Sequence, residues 1–67
     1  MFISVEFPAN IDSQELYNDV KMFNMNVTDL ITKTYMYGEV KPRHCKTLLE
    51  MCYKYSFIHL DIKNPTS

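Results

Sequence analysis

The first residues of the chain alternate between apolar and polar side chains. The segment FISVEF, residues 2–7, has an apolar residue at every second position, namely Ile3, Val5 and Phe7. A period of two is typical of a strand that buries one face. The pattern therefore predicts a half-buried strand that Pro8 ends.

The following segment, IDSQELYNDVKMF, has a helical period instead. Apolar residues at i, i+4 and i+7 form one stripe, which consists of Leu16, Val20 and Phe23. Asp12 is a favourable N-cap residue, and Glu15, three residues later, can complete a capping box. We expect a helix that begins after Asp12 and ends near the NMN sequence at 24–26.

Residues 27–37, VTDLITKTYMY, fit two structures. Their Val, Ile, Thr and Tyr content favours a strand. The alternative is a helix capped by Asn26 or Thr28 and closed by Gly38. Its inner face would consist of Leu30, Ile31, Thr34 and Tyr35. Of the two structures we predict the strand.

Pro42 suits the first turn of a second helix, because its missing N–H has no intrahelical partner there. We expect this helix to reach about Lys54, with an apolar stripe of Cys45, Leu48, Leu49 and Cys52. The segment FIHLDI, residues 57–62, then alternates again. It predicts a last strand with Ile58, Leu60 and Ile62 inward and with His59 and Asp61 outward.

These elements predict one compact α+β domain over residues 1–67, with 63–67 as a C-terminal tail. Its order would be βαβαβ, with a three-stranded sheet that carries two helices on one face. The middle strand is the uncertain element, because the helix at 27–37 is the alternative. A domain of this size buries a small core, so a partner or a second copy is a natural source of extra stability.

Composition and charge narrow the functional classes. The chain has seven Lys and Arg against eight Asp and Glu, so its net charge of −1 gives no general attraction to nucleic acid or to anionic lipid. Its apolar runs reach three residues at most, which indicates neither a membrane span nor a secretory signal. We therefore expect a cytoplasmic protein without a membrane partner, and two reduced cysteines.

Both histidines and both cysteines lie within HCKTLLEMCYKYSFIH, residues 44–59. Cys45 and Cys52 are two helical turns apart, roughly 10 Å, so they cannot share a metal ion. His59 on a strand would point away from the helices. We predict two buried thiols and no metal site, and no Gly-rich or catalytic motif indicates a cofactor.

The outward positions of the two terminal strands could form an acid–base cluster, with Ser4 and Glu6 beside His59 and Asp61. We favour a solvated sheet face, because nothing in so short a chain obviously supplies a pocket that excludes water. The protein is accordingly predicted not to be an enzyme.

Five tyrosines are more than this small core can bury, so several should be exposed. Tyr and Met are enriched in protein-binding surfaces. We therefore predict a non-enzymatic regulator that binds a host or cellular protein, through Tyr35, Tyr37, Tyr53, Tyr55 and Met36. The scarcity of Ala, Gly and Arg is typical of an AT-rich gene, which suggests a phage or mobile-element inhibitor that occludes its target. A homodimer is a further expectation.

The alternative function is a nucleic-acid-binding regulator. A basic cluster at the start of the second helix could hold phosphate through its side chains and the helix dipole. The residues of this alternative site are Lys41, Arg43, Lys46 and Lys54. The overall negative charge argues against it.

Overall fold

The computed structural model describes residues 1–63. Four strands and two helices follow one another as β1 Phe2–Pro8, α1 Ser13–Val20, β2 Asn26–Asp29, β3 Lys33–Glu39, α2 Cys45–Lys54 and β4 His59–Lys63. Two short 3-10 turns, Lys21–Phe23 and Pro42–His44, follow α1 and precede α2. The α+β class is thus confirmed, with the order βαββαβ instead of βαβαβ.

The predicted middle strand is the element that was wrong. Residues 27–37 do not form one strand, because the chain turns at 30–32 and returns as a hairpin of β2 and β3. The Leu30 N–H donates to the Lys33 carbonyl at 2.8 Å and closes the turn. The sheet therefore has four strands. Lys63, which the sequence analysis placed in the C-terminal tail, belongs to β4, and 64–67 lie outside the described residues.

The strands form one antiparallel sheet in the order β2-β3-β1-β4. β1 pairs with β3 on one side and with β4 on the other, so the first strand of the chain is central. Each helix connects two strands that have a third strand between them. This element order is that of split β-α-β, or ferredoxin-like, domains, a fold that carries many functions.

Both helices cover the same face of the sheet. The core combines alternate residues of the central strands with the inner stripes of α1 and α2, and its fully buried members include Ile3, Val5, Phe7, Leu16, Val20, Met36 and Leu48. The predicted inward positions of β1 and the stripe of α1 are thereby confirmed. Neither of the two described helices lies on the opposite face of the sheet.

The first helix begins as predicted. The Asp12 carboxylate accepts hydrogen bonds from the backbone N–H groups of Gln14 and Glu15, both at 3.1 Å. Glu15 does not complete the capping box but extends toward α2, where its carboxylate lies 3.7 Å from the Lys54 Nζ. The cap thus fixes the start of α1 and leaves Glu15 free to join the two helices.

The only glycine of the chain, Gly38, lies where the backbone after α1 crosses β3. A Cβ there would come within 3.2 Å of the Asn24 carbonyl oxygen and 2.9 Å of the Met25 Sδ. Asn24 itself has a φ of 60°, which turns the chain into β2. Gly38 therefore permits a close approach and does not close a helix.

Candidate protein-binding surface

The uncovered side of the sheet, which we call the open face, follows from strand alternation and register. Residues that lie directly opposite each other in an antiparallel pair share a face. With Ile3 and Val5 in the core, the open face consists of Phe2, Ser4, Glu6, Pro8, Asn26, Thr28, Lys33, Tyr35, Tyr37, Glu39, His59, Asp61 and Lys63. It contains side chains from all four strands.

Three aromatic rings form a row across the two central strands. The ring centroids of Tyr35 and Tyr37 are 5.6 Å apart, and those of Tyr37 and Phe2 are 6.3 Å apart. Phe2 is 42% exposed, while the two tyrosines are half-buried by their neighbours on the sheet. The row is a rigid, amphipathic platform, because each ring has few rotatable bonds and rests on paired backbone.

Charges of both signs surround the aromatic row. Lys33 donates a hydrogen bond to Glu6, and this bond lowers the pKa of the Glu6 carboxyl below its usual value, with a smaller contribution from the nearby His59. Farther along the face lie Asp61 and Lys63 of β4. The open face therefore offers hydrogen bonds and ion pairs around an apolar centre, and it is not dominated by one sign of charge.

The five residues predicted to bind a protein do not form one surface. Tyr35 and Tyr37 lie on the open face. Tyr53 is 72% exposed but lies on α2, beyond the opposite side of the sheet, with its ring against Phe57 at 5.2 Å. Tyr55 and Met36 are buried, so neither can contact a partner directly. Only the β3 pair thus remains at a candidate site.

Tyr55 instead connects the two helices. Its hydroxyl donates to the Asp19 carboxylate, which also accepts from the Lys54 Nζ at 3.2 Å. Both bonds lower the pKa of the Asp19 carboxyl, while burial and the bond to Asp19 raise the pKa of the Tyr55 hydroxyl. The bond to Asp19 also raises the pKa of Lys54. The hydrogen bond to Asp19 and the burial of the ring give Tyr55 a structural role.

The four basic residues of the alternative site are separated. Lys41, Arg43 and Lys46 are exposed near the start of α2. Lys54 lies at the other end of the helix, about 12 Å from Lys46 along the axis, and is engaged by Asp19. Only three of the four predicted basic residues therefore lie near the start of α2.

Both cysteines are free thiols. Cys52 is buried under α2, and this burial, together with the neighbouring Cys45, raises the pKa of its thiol to about 11. Cys45 is half-buried at the first turn. Within residues 1–63, no three His, Cys, Asp or Glu side chains are placed to hold a metal ion.

The acid–base cluster is brought together by the register of β1 and β4, which places Glu6 opposite His59 and Ser4 opposite Asp61. His59 and Asp61 are exposed on the open face. Water therefore reaches both side chains freely, and a general base in such a setting gains little from its surroundings. This geometry favours a recognition role for the cluster.

Phe2 is the functional candidate that the sequence prediction omitted. The sequence pattern could have indicated Phe2, because positions 2, 4 and 6 share the outward face of β1.

None of the helices described is long and apolar enough to cross a membrane. Comparison with protein-family models, curated proteins and solved structures gives no match. The functional assignment therefore rests on the geometry of the described residues.

Proposed function

We propose that this protein is a non-enzymatic regulator that binds another protein through the open face of its sheet. The observation that carries the proposal is the aromatic row of Phe2, Tyr37 and Tyr35, held on the two central strands and left uncovered by either helix. Aromatic anchors at the centre of a surface, with a polar and charged rim, are the arrangement that dominates binding energy in protein interfaces.

The charges of the open face support a protein partner more than a nucleic acid. The three carboxylates Glu6, Glu39 and Asp61 face outward beside the two lysines Lys33 and Lys63. A nucleic-acid surface gains most of its affinity by neutralising phosphates with Lys and Arg. A surface without an excess of positive charge does not gain affinity from phosphates in this way. Mixed charges can instead pair with the opposite charges on the surface of a protein partner.

Single-stranded nucleic acid is the second candidate, and one observation favours it. Aromatic side chains on a four-stranded sheet stack two or three bases in RNA-recognition motifs. Tyr35, Tyr37 and Phe2 could serve in that way, with Lys41, Arg43 and Lys46 beyond the end of β3 as phosphate contacts. The proposal of a protein partner and this alternative use the same platform but differ in their need for the basic residues.

The proposed mechanism is steric occlusion. A rigid face binds with little loss of conformational freedom, so its contact area is converted efficiently into affinity. A partner covered by this face would lose access to its own ligands. We propose inhibition of a host factor as the direction of regulation, and the amino-acid composition, which is typical of an AT-rich gene, supports a phage or mobile-element origin.

The test is an affinity capture from a host lysate, with and without nuclease, read by mass spectrometry. The wild type is compared with Tyr37→Ala, which removes the middle ring of the row, and with Tyr53→Ala as the control on α2. We expect one protein to be captured in stoichiometric amount after nuclease treatment, lost with Tyr37→Ala and retained with Tyr53→Ala. Thermal unfolding of each variant verifies that it is folded.

Two results would contradict the protein-binding function. Capture that disappears with nuclease and with a Lys41→Ala, Arg43→Ala and Lys46→Ala triple variant would establish the nucleic-acid alternative. A captured protein that depends on Tyr53 and not on Tyr37 would move the binding surface to α2.

A further inference from the structure

We draw no further inference here: the strongest candidate, the aromatic patch that the exposed Tyr53 ring and the half-buried Phe57 ring form at the end of α2, carries nothing, because no feature of residues 1–63 shows what would cover it.

Discussion

The hydroxyl of Tyr55, beside the Lys54 Nζ, joins the end of α2 to α1. The buried Tyr55 ring meets Phe7 edge-on at a centroid distance of 6.3 Å, and its part-buried hydroxyl donates to Asp19. A bonded tyrosine hydroxyl of this kind positions the ring as well as contributing a hydrogen bond. The position of α2 relative to α1 therefore depends on Tyr55, which the sequence analysis predicted to be a binding residue.

We predict that Tyr55→Phe lowers the free energy of unfolding by about 1 kcal/mol, because it removes one hydrogen bond while keeping the ring. For a domain of this size, the melting temperature should fall by roughly 4–8 °C. Thermal unfolding followed by circular dichroism measures the change. Tyr53→Phe is the control, since the Tyr53 side chain is exposed. Equal shifts in the two variants would contradict the role assigned to Tyr55.

The two thiols should differ sharply in reactivity. Because the thiolate is the reactive form, burial that raises the pKa of Cys52 to about 11 leaves almost no nucleophile at neutral pH. We predict that a thiol reagent labels Cys45 first and Cys52 only on unfolding. The Cys45→Ser variant isolates Cys52 and should show no rapid phase in the native protein. Rapid labelling of that variant would show that Cys52 is accessible.

At the scale of elements, the start of α1 depends on one side chain. Asp12 satisfies two backbone N–H groups that have no partner within the helix. We predict that Asp12→Ala destabilises the protein by about 1 kcal/mol, whereas Asp12→Asn, which retains an accepting oxygen, has a smaller effect. Denaturant unfolding of both variants provides the measurement. Equal losses would mean that the charge, and not the cap, stabilises the helix.

The elements that the sequence predicted correctly are those whose inner positions are apolar throughout. α1 and β1 have a clean stripe or alternation, and their inner residues are buried. In α2, Leu48 and Cys52 are buried, while Cys45 and Leu49 are half-buried. The hairpin was missed because Thr34 occupies an inward, buried position of β3, which breaks the apolar alternation. Its hydroxyl is satisfied by the Asp29 carboxylate at 2.8 Å, a contact between β2 and β3 that no local pattern reveals.

The hairpin turn also lacked the usual signals. Residues 30–32 are Leu, Ile and Thr, without the Gly, Asn or Asp that marks most tight turns. The aromatic row could not be predicted for the same reason. The outward direction of Tyr35 and Tyr37 follows only when β3 is assigned with Met36 inward. Tyr55 was misplaced because the partner of its hydroxyl, Asp19, lies 36 residues away along the chain.

At the scale of the whole molecule, three carboxylates of the described residues accept side-chain hydrogen bonds from other elements. Glu6 is bonded by Lys33, Asp19 by Tyr55 and Lys54, and Asp29 by Ser13 and Thr34. In each case these hydrogen bonds lower the pKa of the carboxyl below its usual value. Together they connect β1 to β3, α1 to α2, and α1 to the hairpin.

These shifts predict how stability depends on pH. A carboxyl whose pKa is lower in the folded state contributes stability above its unfolded pKa, about 4, and loses it as the pH falls through the folded pKa. The melting temperature should therefore fall steadily below about pH 4. Scanning calorimetry across this range measures the slope. Asp29→Asn should reduce that slope, and a variant with an unchanged slope would show that Asp29 does not contribute.

A sheet that is covered on one side divides the strand residues into two sets with separate duties. Side chains that face the helices determine whether the chain folds, and those that alternate with them on the open face are supported by the backbone without filling the core. Substitutions at Tyr35, Tyr37 or Phe2 are therefore expected to alter the proposed binding surface while the hydrophobic interior stays intact. If the open face binds as proposed, its specificity could evolve, or be engineered, on a scaffold whose interior need not change.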